Sequence, residues 1–270
     1  MPIIRNVKYR KPRLGSDDAD MYALAQTMRA SNQTALAVDC CNLIVQDFKF
    51  LQYFSGISHL TIQGSVTDCD FSHIPISVQD ICLLEVNMNS YEALAHLENL
   101  KVLDHRAHTI ASCHGLELLT SLKVIQFQNL NGISDLSHVS SLSNLQWIKF
   151  SSCNDIVKIP ALSGMSSLKR IVIETCNNLI DINAISTAPA LEDLIIIESE
   201  LLGPHHFMQL AESKVPIRIL PGIGNIKSFK YIEACKIINS KLITCYYGSD
   251  FEYYEATYDN SANPFKVKAS

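Results

Sequence analysis

The densest group of residues that could do chemistry lies between positions 105 and 114 and consists of His105, His108, Cys113 and His114. Imidazole nitrogens and thiolates are the ligands that zinc prefers. The spacing matches no common zinc-binding pattern, and the adjacent side chains of Cys113 and His114 would point to opposite sides of an extended chain. We therefore expect no metal site here, but a hydrogen-bonded core histidine at position 105 and an inert buried thiol at position 113.

Catalytic motifs are missing from the sequence. No G-x-S-x-G, H-E-x-x-H or Walker-type phosphate-binding loop occurs. The carboxylates of Glu198 and Glu200 are close together, but they fall at an expected turn, where solvent would surround them. We therefore predict that the protein is not an enzyme and uses no cofactor.

The net charge of −5 and the pI near 6.0 argue against a nucleic-acid partner, because phosphate contacts require a basic surface. The first residues lack the apolar core of a secretory signal, and nowhere do about 18 apolar residues follow one another. The 9 cysteines form no C-x-x-C pair, which favours free thiols in a reducing compartment. These features predict a cytoplasmic protein without a membrane partner.

Four segments of the chain share one apolar pattern; they begin at Leu122, Leu145, Leu168 and Leu191 and are evenly spaced. In each segment, apolar residues first alternate as in a strand and then recur at every third position. One long helix does not fit, because neither period keeps a single helical stripe. Each segment is therefore predicted to be one coil, made of a strand, a turn and a return segment, and covered by its neighbours.

This pattern resembles the leucine-rich repeat family, whose L-x-x-L-x-L-x-x-(N/C) motif is matched by residues 145–153 and 168–176. The resemblance implies an α/β solenoid, a right-handed superhelix with a concave parallel sheet. It also implies that Cys153 and Cys176 turn inward and satisfy backbone groups of the turn. We predict that these two cysteines are free thiols rather than a disulfide.

The expected boundaries are a basic arm and N-terminal helical cap at 1–33, the repeat solenoid at 34–222, and a C-terminal cap at 223–270. The C-terminal cap is predicted to be a helix over 226–238 followed by an aromatic β-hairpin. About nine strands are expected, and the step between the third and fourth is predicted to be unusually short. The inward residue that begins each strand is Leu36, Leu60, Leu84, Leu103, Ile125, Ile148, Ile171, Leu194 or Ile217.

Residues between the inward positions should line the concave face, since side chains alternate along a strand. Trp147, the only tryptophan, is expected there, either as an interface anchor or packed on the stems of Lys149 and Arg170. We predict an interaction module of effector, immunity or adaptor type that binds a protein or peptide on this face. The alternative is small-ligand or metal sensing at the irregular third and fourth repeats. The predicted binding residues are Asp104, Arg106, Gln126, Gln128, Trp147, Lys149, Arg170 and Asp193.

Overall fold

The computed structural model describes residues 18–41, 47–67, 69–199, 201–202, 206, 210, 217–220 and 243–245. The strands among these residues form a single sheet, in which each strand pairs in parallel with the next along the chain. The elements are α1 (Asp18–Ala30), β1 (Ala35–Asp39), β2 (His59–Thr67), β3 (Asp80–Asn87), β4 (Val102–Arg106), β5 (Val124–Gln128), β6 (Trp147–Ser151), β7 (Arg170–Glu174), β8 (Asp193–Ile197), β9 (Ile217–Leu220) and β10 (Ile243–Cys245).

Strand pairing places one inward residue of each coil directly beside that of the next coil. A second inward column lies two positions further along each strand and includes Phe127, Phe150, Ile173 and Ile196, as the repeat pattern predicts. Those four side chains are buried in one continuous apolar core. The first column consists of Leu36, Leu60, Ile81, Leu103, Ile125, Ile148, Ile171 and Leu194. Backbone pairing continues in the same register to Ile217 and Ile243.

A left-handed backbone residue follows each of the strands β5 to β8. Asn129, Ser152, Thr175 and Glu198 have φ angles of 53°, 54°, 53° and 48°. In the first three, the N–H donates to a carbonyl of the following coil at 2.8–2.9 Å. The turn is therefore repeated at the level of the backbone, and its hydrogen bonds join each coil to the next.

The return segments contain short 3-10 turns, among them Ser137–Ser141 and Asn183–Thr187. In the first, Val139 N–H donates to Leu136 O and Leu142 N–H to Val139 O, at 3.0 and 3.1 Å. Because one turn of a 3-10 helix spans three positions, side chains at every third position lie on the same side. This explains why apolar residues recur at every third position in the return segments, where these three are buried.

The helix α1 lies at the β1 end of the sheet, within the region predicted to form a helical cap. Its buried side chains Met21, Ala25 and Met28 join the core together with residues of the 3-10 turn Lys49–Phe54. Arg29 fixes this arrangement, because its Nη2 donates to the carbonyl of Tyr53 at 2.8 Å. The apolar face of α1 therefore covers the first coils.

The predicted register of the third strand is wrong. Ile81, and not Leu84, pairs with both Leu60 and Leu103. Leu84 therefore belongs to the outward set, and the step to Leu103 is not short. The irregularity lies instead between β2 and β3, where the pairing shifts between Gln63 and Val66. Such a bulge adds residues to one strand and restores the inward direction further along.

The C-terminal region differs from the expectation in one described element. The strand β10 pairs in parallel with β9, with Ile243 beside Ile217. Among the described residues the sheet therefore has 10 strands, where about nine were expected. The predicted helix over 226–238 and the second run of the predicted hairpin lie outside the described residues.

Candidate functional site

All eight residues predicted for the concave face lie at outward positions of neighbouring strands. Strand pairing arranges them in three rows that run across β4 to β8, and we call this set the concave site. The sheet therefore brings together residues that are far apart in the sequence. The first row contains Trp147, Arg170 and Asp193, the second Asp104, Gln126 and Lys149, and the third Arg106 and Gln128.

A two-point ion pair joins Arg106 to Asp104 at one end of the concave site. Arg106 Nε lies 2.9 Å from Asp104 Oδ1, and Nη2 lies 2.7 Å from Oδ2. Burial alone would lower the pKa of Arg106, but the hydrogen bonds and the charge of Asp104 outweigh it and raise the pKa. The nearly buried Asp104 carboxylate is thus held in a fixed geometry by its own neighbour on β4.

Two further ion pairs connect neighbouring strands of the concave site. Arg170 Nε lies 2.9 Å from Asp193 Oδ2, and Lys149 Nζ lies 2.5 Å from Glu174 Oε2. Glu174 Oε2 also accepts a hydrogen bond from the hydroxyl of Ser151 at 3.2 Å. Charges of both signs therefore lie side by side across β6, β7 and β8, so the site carries no uniform charge.

The apolar members of this face are packed closely. Trp147 lies between Val124 and Arg170 in the outward row, outside the continuous core, yet only 7% of it is exposed. Val172 and Ile195, which are outward residues of β7 and β8, are fully buried. The most accessible groups of the concave site are therefore the half-buried Arg106, Gln128, Lys149 and Arg170.

His105 is a hydrogen-bonded core residue. Its Nε2 lies 2.7 Å from the carbonyl of Val86, and its Nδ1 lies 2.8 Å from the hydroxyl of Tyr91. A carbonyl only accepts, so Nε2 carries the hydrogen and Nδ1 accepts from Tyr91. Burial lowers the pKa of His105 to about 4, against smaller raising contributions from the Val86 hydrogen bond and Asp104.

The four residues considered as zinc ligands, His105, His108, Cys113 and His114, do not form one cluster. Cys113 is buried, and its burial raises the pKa of its thiol to about 12. His108 and His114 are exposed, whereas His105 is fully buried.

The turn cysteines occupy the inward position that the resemblance implies. Cys153 Sγ lies 3.4 Å from the carbonyl of Ser151, and Cys176 Sγ lies 3.6 Å from that of Glu174. Burial raises the pKa of the two thiols to about 11 and about 12. Both cysteines are free thiols in the structure, and each satisfies a backbone carbonyl of its own turn.

A second polar cluster was missed by the sequence analysis. His114 Nδ1 lies 2.9 Å from Glu117 Oε1, and His138 Nδ1 lies 3.0 Å from Glu117 Oε2. Glu92 Oε1 lies 3.1 Å from the other ring nitrogen of His114. The sequence does contain a signal for this cluster, because Glu92, His114 and His138 are separated by about one repeat length. Only an alignment of three return segments would have revealed it.

A cavity of about 200 Å³ lies between α1 and the first coils, lined by residues that include Met28, Arg29, Thr34 and Ile57. It is therefore remote from the third and fourth coils, where the alternative prediction places a ligand. In the described part of the chain, no helix has both the length and the apolar character needed to cross a bilayer.

No family model matches the sequence, and no curated protein matches it. Several solved structures are similar to the chain. The leucine-rich repeat domain of the type III effector XopL is 20% identical, with 66% of this chain and 64% of that chain covered and a TM-score of 0.46. A leucine-rich repeat protein of Leptospira interrogans is 16% identical, with 78% of this chain and 59% of that chain covered and a TM-score of 0.48. Internalin C2 of Listeria monocytogenes is also 16% identical, with 86% of this chain and 84% of that chain covered and a TM-score of 0.42.

The chain spans less than two thirds of the length of the first two structures. With TM-scores below 0.5, these likenesses do not carry the assignment of the fold. The assignment rests on the chain itself, in which a parallel strand, an inward turn residue and a return segment recur from coil to coil. The chain therefore has the leucine-rich repeat fold.

Proposed function

We propose that the protein is a non-catalytic interaction module that binds a protein or peptide partner at the concave site. The observation that carries this proposal is the three ion pairs that lie side by side on one face of the sheet. Their positions are set by backbone pairing between strands rather than by loops. A rigid array of this kind costs little further ordering when a partner binds, which favours affinity.

The charge arrangement favours a partner that carries both positive and negative groups. Arg106, Lys149 and Arg170 are half-buried, and each lies next to a carboxylate of the same face. A partner carboxylate would gain a charged hydrogen bond from one of these cations, and a partner cation would gain one from Glu174. Complementary charges of both signs give orientation and specificity more than raw affinity.

The packed centre of the site sets the order in which its residues would be used. Trp147 is 7% exposed, so a partner would first meet the half-buried cations and Gln128. We infer that Trp147 supports the positions of its neighbours, and that its truncation weakens binding through them. An effector, an immunity or an adaptor role would each be compatible with such a surface.

Two adjacent cations provide a matched test. Arg170 pairs with Asp193, with side-chain exposures of 18% and 6%, whereas Lys169 pairs with Glu192, with exposures of 59% and 65%. The tagged protein would be used for affinity purification and mass spectrometry as wild type, Arg170→Ala and Lys169→Ala. We expect a specific partner to be lost or strongly reduced with Arg170→Ala and retained with Lys169→Ala.

A second pair tests the site without removing an ion pair. Gln128→Arg adds a long charged side chain to the third row, and Val157→Arg adds the same group at an exposed return-segment position. The proposal predicts loss of the partner with the first variant only. Equal recovery from both variants and from Arg170→Ala, all with wild-type circular dichroism, would place binding on another surface.

A further inference from the structure

We propose that the chain binds a single zinc-class divalent cation on the surface of its return segments, held by His114, Glu117 and His138. This surface carries none of the residues of the concave site. Imidazole nitrogens and a carboxylate oxygen are the ligands of many zinc sites that keep one position open for water. We call these three residues the His–Glu cluster.

Stacked return segments position the cluster. Glu117 lies in the 3-10 turn Leu116–Leu118, and His114 lies just before that turn. His138 lies in the 3-10 turn Ser137–Ser141 of the next coil. The preceding coil contributes Glu92 from the 3-10 turn Tyr91–Leu94. The backbone connects these coils, because Tyr91 N–H donates to the carbonyl of His114 at 2.8 Å. The three turns therefore present their side chains in one column.

The ligand atoms lie near the spacing that one ion requires. One nitrogen of each histidine and a Glu117 oxygen lie within 4.8 Å of one another. With metal–ligand bonds of about 2.0–2.1 Å, tetrahedral coordination needs about 3.3 Å between ligand atoms. The distance from His114 Nδ1 to Glu117 Oε1 is 2.9 Å and that from His138 Nδ1 to Glu117 Oε2 is 3.0 Å, each within a few tenths of an ångström of that value. The two histidines thus face different oxygens of the carboxylate, which must rotate or bind through both oxygens to serve one ion. The side chains are partly exposed and can make that adjustment.

The contacts of His114 resemble those of an imidazole prepared for a metal. Its Nδ1 faces the cluster, while its Nε2 lies 3.1 Å from Glu92 Oε1. Metal-bound histidines commonly donate their second ring N–H to a carboxylate, which orients the ring and makes the coordinating nitrogen a better ligand. Glu92 is therefore a positioning residue of the proposed site and does not itself bind the ion.

Glu117 is held at the centre of the cluster. The N–H of Gly115 donates to Glu117 Oε2 at 3.0 Å. Gly115 has φ 91°, and a Cβ there would lie 2.2 Å from the backbone nitrogen of Glu92, so only glycine fits this approach of the two coils. Burial opposes ionisation of Glu117, but backbone hydrogen bonds and the two histidines outweigh it and lower its pKa.

Binding exchanges protons for the ion. A ring nitrogen that donates a hydrogen to Glu117 cannot coordinate at the same time, because coordination uses the lone pair of that nitrogen. The nitrogens that coordinate must release their hydrogens to solvent. The Nε2 hydrogen on His114 stays in place, donated to Glu92. The competing explanation is a hydrogen-bonded histidine–carboxylate group that has no metal function.

Isothermal titration calorimetry with Zn²⁺ on the whole chain tests the proposal, and Co²⁺ absorption spectra identify the ligand types. We expect one ion per chain, proton release, and a Co²⁺ spectrum without thiolate charge-transfer bands. The double variant His114→Ala/His138→Ala should lose the site, and Glu117→Gln should weaken Zn²⁺ binding at least about tenfold. For Glu92→Gln we expect binding weakened by about tenfold with unchanged stoichiometry.

The matched control is His73→Ala, because His73 also lies next to a carboxylate, Asp70, but without a second histidine in the pair. This variant should bind Zn²⁺ as the wild type does. Absence of Zn²⁺ binding to the wild type would overturn the proposal, as would full binding by the folded double variant. Thiolate bands in the Co²⁺ spectrum would also overturn it, since they would assign the ion to cysteines such as Cys41 or Cys69.

Discussion

The strands β5 to β8 and the strands β2 to β4 belong to the same sheet but follow different rules. In the first group, which we call the regular half, the paired inward residues are evenly spaced in the sequence, and left-handed residues follow the strands at equivalent positions. In the second group, the irregular half, the step from Leu60 to Ile81 is shorter than the step from Ile81 to Leu103, and a bulge shifts the pairing. The irregular half also contains His105, a polar residue in the inward column.

The comparison separates two demands on a repeat. In the regular half, inward residues such as Ile148, Ile171 and Leu194 stack in one column. Side chains of similar size fill such a column closely when successive coils have the same number of residues. The irregular half must satisfy the two ring nitrogens of His105, and it does so with Tyr91 and the carbonyl of Val86. Variants in each half can therefore test whether packing or hydrogen bonding dominates locally.

We expect the largest effect where the two halves meet. The ring of Phe127 is fully buried and lies 5.8 Å from the ring of Tyr91 and 6.2 Å from that of Phe150, centroid to centroid. Phe127→Ala should lower the free energy of unfolding by about 3–5 kcal/mol, measured by urea denaturation. Val157→Ala, at a residue that is 45% exposed, should stay within about 0.5 kcal/mol. Equal losses would contradict a core that is continuous across both halves.

The next effect concerns pH and belongs to the irregular half. The pKa of His105 falls from 6.5 to about 4 on burial, so between these values the unfolded chain binds more protons than the folded chain. The stability contributed by neutral His105 is therefore fully present above about pH 6.5 and is lost as the pH falls toward 4. The loss should reach at most about 3 kcal/mol.

Urea denaturation at several pH values would measure this dependence in the wild type and in His105→Leu. The variant should show a shallower decline over the interval, because it lacks the titrating ring. Its absolute stability is not the readout, since Tyr91 also loses a partner. Identical slopes for the two proteins would show that His105 does not control the pH response.

A smaller effect is expected from removing one hydroxyl in the irregular half. Tyr91→Phe keeps the buried ring but leaves His105 Nδ1 without its donor at 2.8 Å. An unsatisfied buried acceptor costs about 1–3 kcal/mol. Thermal or urea unfolding would measure the loss, with Tyr22→Phe at an exposed position as the control. No change in Tyr91→Phe would mean that packing alone holds this half.

The smallest effects are expected on the outward surface of the regular half. Arg170→Ala leaves the nearly buried carboxylate of Asp193 without its guanidinium, which should cost about 1–2 kcal/mol. Lys169→Ala removes an exposed pair and should change the unfolding free energy by less than about 1 kcal/mol. Equal losses in urea denaturation would indicate that burial of the concave site adds nothing to its ion pairs.

The sequence predicts the regular half almost residue by residue, because its period is strict and each inward position is apolar. It misplaces the third strand, because residues 81–86 are almost all apolar and offer two possible sets of inward positions. Only the pairing of Ile81 with Leu60 and Leu103 selects one of them. Alternation along a short segment cannot supply that information.

The same distinction applies to the sites. Alternation correctly assigns Trp147 to the outward row, but its low exposure depends on how its neighbours pack, which a face assignment does not contain. The His–Glu cluster was missed for another reason. Its side chains come from two successive coils, and their proximity depends on the exact length of each return segment.

The hydrogen bonds between successive coils have a consequence for the length of the molecule. The N–H of Gln146 donates to the carbonyl of Lys123 in the preceding coil, and the carbonyl of Gln146 accepts from the N–H of Lys169 in the following coil. Each coil therefore donates to the coil before it and accepts from the coil after it in the same way. A tandem duplicate of residues 146–168 would therefore meet matching neighbours at either end. We expect such a lengthened chain to fold with one additional strand, and we expect this part of the molecule to tolerate growth by whole units during evolution.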